Sequence, residues 1–129
     1  RGTRFADPPI KNIESMVQGL LSDETFVKIL RSKPFAFLGH SIGALIAFEL
    51  TLELQRRKMK LPIHVFLSSR QSPTSPVTPK STLSNEETLS LLKRLGGTPT
   101  EVLENAQMVE LLLPILRNDW EAHENYQRK

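Results

Sequence analysis

The chain has 129 residues, 39% of them hydrophobic and 24% charged, with a net charge of +3. That is the composition of an ordinary globular protein, long enough to remove roughly two-thirds of its unfolded surface from water, and the mild positive excess does not argue for a nucleic-acid partner. It has no cysteine, which excludes disulfides, a thiol nucleophile and a cysteine-ligated metal.

The lack of cysteine fits a reducing compartment, and the cytoplasm is the expected location. No apolar run approaches the ~20 residues needed to cross a bilayer, so no membrane association is expected. The first residues, Arg1-Gly-Thr-Arg4, lack the apolar stretch of a signal peptide and an initiator methionine. The expectation is of a chain that is processed, excised from something larger or incompletely supplied.

Residues 1–11 read as an extended loop, because Pro8-Pro9 disfavours helix just before them. Asn12 is a candidate N-cap. Ile13, Met16, Val17, Leu20 and Leu21 then fall on one helical stripe. Ser22-Asp23 either interrupts this helix or lets it continue through Phe26, Val27, Ile29 and Leu30, with Lys33-Pro34 as the stop. Phe35–Leu38 reads as a short strand buried on both faces. An apolar helix is expected from Ser41 to about Arg57, and a second strand over Pro62–Ser68. Strand, helix and strand in that order predict a parallel pair with a right-handed crossover. The basic cluster Arg56-Arg57-Lys58 with Lys60 reads as a solvated helix end that complements the helix dipole.

Residues 68–82 carry three prolines and many hydroxyl side chains, which predicts a loop without regular structure. It starts at the carboxyl end of a parallel strand, where such sheets place ligand sites. Helices follow. Ser84-Asn-Glu-Glu87 has capping-box spacing; Leu89, Leu92 and Leu95 form the expected buried stripe, and Gly96-Gly97 ends the helix. Thr98-Pro99-Thr100-Glu101 reads as a second capping box with proline at the first helical position, opening a short helix to about Asn105. A long helix from Ala106 to near Gln127 should kink at Pro114. Leu112, Ile115, Leu116, Trp120 and His123 lie near one of its faces. Residues 83–129 thus read as a helical cap over the sheet end, with a partner-binding helical subdomain as the competing reading.

The segment that organises the chain is Gly39-His40-Ser41-Ile42-Gly43, between the first strand and the helix. The spacing Gly39-x-Ser41-x-Gly43 is the nucleophile-elbow pattern of α/β-hydrolases. A serine on such a turn holds its hydroxyl clear of strand and helix. The turn brings the two close together, so small residues are expected at Gly39, Gly43, Ala44 and Ala47. The bland alternative is a glycine-rich turn with a buried or capping serine. A serine nucleophile also needs a base, an acid to orient it, and donors for the oxyanion. The backbone N–H of Ile42 is one such donor. The three histidines do not supply an obvious base. His40 should point away from Ser41, and His64 reads as packed within a strand. His123 has Asp119 four residues before it on one helix face, an unusual way to build a triad.

Over nearly its whole length the sequence resembles the type II thioesterases, stand-alone serine hydrolases that work with fatty-acid, polyketide and nonribosomal peptide synthases. The resemblance rests on Arg1-Gly-Thr-Arg-Phe-Ala-Asp-Pro-Pro9, on Lys33-Pro-Phe-Ala-Phe-Leu-Gly-His-Ser-Ile-Gly-Ala-Leu-Ile-Ala-Phe-Glu49, on Pro62-Ile-His-Val-Phe-Leu-Ser-Ser-Arg70, on Leu95-Gly-Gly-Thr-Pro99 and on Leu112-Leu-Pro-Ile-Leu-Arg-Asn-Asp119. It implies a partial α/β-hydrolase fold, an α/β architecture of parallel strands with crossover helices plus a helical cap. Residues 1–71 would be the core segment with the elbow, and residues 72–129 the loop and cap. It implies hydrolysis of an acyl thioester on the phosphopantetheine arm of an acyl- or peptidyl-carrier protein, with Ser41 forming the acyl-enzyme. No metal or bound cofactor is implied. The family's second oxyanion donor, catalytic Asp and catalytic His belong to strands and loops expected to lie outside these residues. Two other functions stay open at this point: a non-catalytic carrier-binding module, and a cap-bearing carboxylesterase or lipase.

Overall fold

The computed structural model describes residues 7–127; the part of the expected leading loop before Asp7 lies outside them. The chain divides into two units. One is built from Asn12–Pro76 with Tyr126 and Gln127, the other from residues 7–11 with Val77–Asn125.

In the first unit, Asn12 caps α1 (Ile13–Leu21), its side-chain oxygen accepting from the Ser15 N–H at 2.7 Å. Ile13, Val17 and Leu21, spaced four apart, are buried. The ambiguity at Ser22-Asp23 resolves as an interruption. Asp23 takes extended geometry, accepts from the Phe26 N–H at 3.0 Å and starts α2 (Glu24–Ser32). A carboxylate at that position satisfies an N–H that a helix start leaves without a partner. Lys33 ends α2 in extended conformation, as a residue before proline must.

Strand β1 (Ala36–His40) then leads through Ser41 into α3 (Ile42–Arg56), and β2 (His64–Ser68) follows. The strands pair in parallel from Ala36↔His64 to His40↔Ser68. Helix α3 packs on both strands and on α1, burying Ala44, Leu45, Ala47, Leu50 and Leu54. This is the strand–helix–strand unit expected from the sequence.

The two faces of the strand pair differ, which corrects the expectation of a doubly buried strand. Side chains alternate across a strand. The Phe37, Gly39 and Val65 face carries α3, and Gly39 is buried there. On the other face Leu38 is 80% and Phe66 55% exposed, so among the described residues only one face is covered. His64 lies on that open face and is exposed, its ring edge-on to Phe66 with centroids 5.8 Å apart. Among the described residues His64 is therefore not packed as expected: an apolar run shows burial but not which face is covered.

No helix or strand occurs between β2 and the second unit's first helix, as the proline-rich composition predicts. That helix, α4 (Asn85–Leu95), opens with the expected capping box, in which Ser84 and Glu87 exchange hydrogen bonds with each other's N–H groups, and it closes on Gly96 with φ 69°. Of the expected stripe Leu92 is buried, but its partner on the buried line is Thr88, and Leu95 is 63% exposed. The next position on the Thr88–Leu92 line is Gly96, already the cap, so Leu95 falls on the flank.

Helix α5 (Thr100–Glu104) corrects the second capping box. The Val102 and Leu103 N–H groups donate to the Pro99 carbonyl, so Pro99 itself is the N-cap. Proline has no side-chain acceptor, and Thr98 sits one residue too early to cap. Helix α6 (Ala106–Glu124) starts on Asn105, whose side chain accepts from the Met108 N–H at 3.1 Å, and continues past Pro114. Its fully buried residues are Leu113, Asn118 and Ala122, not the expected stripe, whose members are half-buried. Asn118 donates from Nδ2 to the Ile10 carbonyl at 3.1 Å, a contact that hydropathy does not encode. Two anchors tie the loop before α4 to α6. The Glu124 carboxylate accepts from the N–H groups of Lys80 and Ser81 and from Ser81 Oγ, and Arg117 donates to the Leu83 carbonyl and to Asn85 Oδ1, both at 2.8 Å.

Candidate active site

Ser41 stands alone between the end of β1 and the start of α3, with φ 54° and ψ −120°. A residue with a Cβ rarely occupies that region. Holding it there costs of order 1–3 kcal/mol and requires that the surroundings over-determine it. They do so in three ways. The Ser41 N–H donates to the Ser68 carbonyl at 2.9 Å, and the Ser41 carbonyl accepts from the Ala44 N–H at 3.1 Å. Gly39, the third, lets α3 lie directly on the strand. A Cβ there would sit 2.3 Å from the Gly43 carbonyl oxygen and 2.6 Å from the Ala44 Cα. Ser41 is exposed, and its side chain makes no capping hydrogen bond, so it is neither the buried nor the capping serine of the bland alternative.

The other half of the spacing requirement is not sustained. A Cβ on Gly43 would meet nothing within 4 Å, so among the described residues the steric demand for glycine falls on Gly39. Ala44 and Ala47 are buried as expected. Ile42 is the first residue of α3, and a helix leaves its first N–H groups without intrahelical acceptors.

Ser68 and Ser69, at the facing end of β2, were not singled out by sequence. His40 and Ser68 form the last rung of the ladder, and His40 Nδ1 shares a 3.2 Å hydrogen bond with Ser68 Oγ. Beyond this rung the next residue on each strand, Ser41 and Ser69, has positive φ, 54° and 53°. Both chains turn off at the same level. A Ser-Ser pair at the carboxyl end of a parallel strand was the available signal.

His64 is on the first rung, four residues and therefore about 13 Å from the elbow end at the usual strand rise. Asp119 and His123 lie one turn apart on α6, in the second unit, and are both half-buried. Among the described residues no three His, Asp or Glu side chains gather as a metal site, and no helix is long and apolar enough to cross a membrane.

Of the four basic residues read as a solvated helix end, Arg56 and Arg57 converge on Glu53. Arg56 Nη2 lies 2.8 Å from one carboxylate oxygen and Arg57 Nε 2.7 Å from the other. The Arg57 hydrogen bond is the main influence holding the Glu53 carboxyl below its ordinary pKa, against an opposing push from burial, and Gln18 and Arg56 add to the lowering. For Glu124 burial is the largest single influence and pushes upward. The combined hydrogen bonds from Ser81 and from the Lys80 and Ser81 N–H groups outweigh it, so its pKa is also lowered.

The chain is similar along its whole length to proteins of one family. The family model described as "Thioesterase domain" matches residues 1–129. The gramicidin S biosynthesis protein GrsT of Aneurinibacillus migulanus is 38% identical over 131 residues, covering 100% of this chain and 50% of that protein. The solved structure of RedJ, a thioesterase from the prodiginine biosynthetic pathway in Streptomyces coelicolor, superposes with a TM-score of 0.88 at 30% identity, covering 100% of this chain and 50% of RedJ. YbtT, a type II thioesterase from the yersiniabactin NRPS/PKS biosynthetic pathway, gives a TM-score of 0.76 at 29% identity, covering 93% of this chain and 48% of YbtT. The chain spans about half the length of the curated relatives it matches. With its strand–elbow–helix unit and its match to the family model from end to end, the chain belongs to the thioesterase family and carries part of the α/β-hydrolase fold.

Proposed function

We propose that the protein hydrolyses acyl thioesters, with Ser41 as nucleophile and the Ile42 N–H as an oxyanion donor. The observation that carries the reading is the exposed Ser41 at φ 54° on the β1–α3 turn. Ser41 Oγ attacks the thioester carbonyl carbon, and its proton passes to a base. The tetrahedral oxyanion is stabilised by the Ile42 N–H. Collapse breaks the carbon–sulfur bond, and the thiolate leaves and is protonated. Water then attacks the acyl-enzyme, releasing the carboxylic acid and restoring the Ser41 hydroxyl. This reading gives the base to neither His40, whose Nδ1 is engaged with Ser68, nor His64, at the far end of the ladder.

The substrate would be an acyl or peptidyl group on the phosphopantetheine arm of a carrier protein. The support is the similarity to GrsT and to YbtT, the latter from an NRPS/PKS pathway. Residues 72–129 would supply the loop and helical cap, and the cytoplasm is the proposed location. Treatment with a fluorophosphonate should add the probe's mass to Ser41, and Ser41→Ala should remove both the labelling and about 10³-fold or more of thioester turnover. Unlabelled Ser41, or turnover that survives Ser41→Ala, would sink the reading. Carrier binding without any labelling would point instead to a non-catalytic module, and oxygen-ester rates above thioester rates to a carboxylesterase.

A further inference from the structure

We infer that His40 is a positioning residue that acts through Ser68 to hold the Ser41 backbone in its reactive conformation; this rests on the reading of Ser41 as nucleophile. The argument starts from the strand ends. The ladder stops at His40↔Ser68, and one residue later both Ser41 and Ser69 turn off with positive φ. A strained serine on each side of a terminating ladder tends to relax by letting the two strand ends part. Two bonds oppose that at this level. One is the Ser41 N–H to the Ser68 carbonyl, 2.9 Å. The other is His40 Nδ1 with Ser68 Oγ, 3.2 Å.

Both bonds converge on one residue, Ser68. Its carbonyl sets the direction of the Ser41 N–H, and its hydroxyl is held by the side chain that immediately precedes Ser41. His40 and Ser68 are both exposed and lie on the strand face that no described helix covers, so among the described residues the hydrogen bond is what joins their side chains. The Nδ1–Oγ contact therefore clamps the last rung and keeps the Ser68 carbonyl in register with Ser41. If the clamp is lost, Ser41 spends more time out of the geometry that presents Oγ, while substrate contacts elsewhere are untouched.

The test uses the full protein with His40→Ala, Ser68→Ala, the double variant, and Ser68→Thr, which keeps a hydroxyl. Two readouts are taken: fluorophosphonate labelling, resolved into maximal rate and half-saturating concentration, and amide hydrogen exchange at Ser41. Each single alanine variant should lower the maximal labelling rate about fivefold to tenfold, the scale of one net hydrogen bond. The half-saturating concentration should stay unchanged, and Ser41 amide exchange should speed up by a similar factor. The double variant should be no worse than either single one, and Ser68→Thr should retain wild-type behaviour. Multiplicative effects in the double variant, or unchanged exchange at Ser41 in His40→Ala, would overturn the clamp. If the wild-type protein is not labelled but His40→Ala speeds Ser41 exchange, the nucleophile reading fails while the clamp on the backbone stands.

Discussion

The two glycines of the elbow should respond to the same substitution with opposite signs. At Gly39 an added Cβ meets only backbone: the Gly43 carbonyl oxygen at 2.3 Å and the Ala44 Cα and Gly43 carbonyl carbon at 2.6 Å. Backbone cannot swing aside as a side chain can, so relief requires lifting α3 off the strand. Overpacking costs typically 1–3 kcal/mol and more where nothing yields. Restricting the unfolded chain gives back about 0.4–1 kcal/mol, so Gly39→Ala should destabilise by about 2–3 kcal/mol. At Gly43 the new Cβ meets nothing within 4 Å and the residue is helical, so Ala should stabilise by about 0.5 kcal/mol. The gap between the variants is then about 3 kcal/mol, or roughly 10 °C in Tm for a chain of this size. Thermal and urea unfolding followed by circular dichroism would measure it. Equal effects, or a larger loss for Gly43→Ala, would refute the claim that α3 rests on Gly39.

Acidification should weaken the first unit through Glu53. Its folded pKa lies below the ordinary 4.5, so its contribution is present above that value and is lost as pH falls through the folded pKa. Urea unfolding between pH 5 and pH 3 should show falling stability, with a shallower slope for Glu53→Gln, and that variant should cost about 2 kcal/mol at pH 7, tempered by the exposure of both arginines; an unaltered slope would count against the Glu53 hub. Ser84→Ala should cost about 1 kcal/mol by removing a cap, whereas Thr98→Ala, at a site expected from sequence to cap but shown not to, should shift the unfolding midpoint by only a few tenths of a kcal/mol. Equal losses would restore the second capping box.

What could be read ahead of the structure were the features written in adjacent residues. The Asn12 and Ser84 caps, the Gly96 stop, the Pro-rich loop and the parallel strand pair all follow from local chemistry at fixed spacing. Gly39 and Ser41 were legible for the same reason: a strand, a sharp turn and a helix must be encoded consecutively. The failures share a different cause. His64 and Leu95 were misplaced because burial depends on which neighbour covers a face, and the residues themselves do not state this. The Pro99 start turned on a single residue of helix register, which two overlapping start signals cannot decide. Glu124 gave no signal because its partners, Lys80 and Ser81, lie on a distant loop. Glu53 did give one, in its spacing of three and four residues from Arg56 and Arg57, but it was masked by the apolar run around it. At the site, Ser68 was hidden because its role comes from register across a gap of 28 residues.

That gap also orders events in time. The bonds of α3 are local, whereas every rung of the β1–β2 ladder, from Ala36↔His64 to His40↔Ser68, closes the same gap and meets the same loop entropy. Helix formation shortens that path equally for all of them. What distinguishes the rung beside Ser41 is that it ends the ladder, with no further pair beyond it. Opening by fraying begins at such ends, so the segment on which chemistry is proposed to occur is expected to exchange its amides sooner than the rungs behind it.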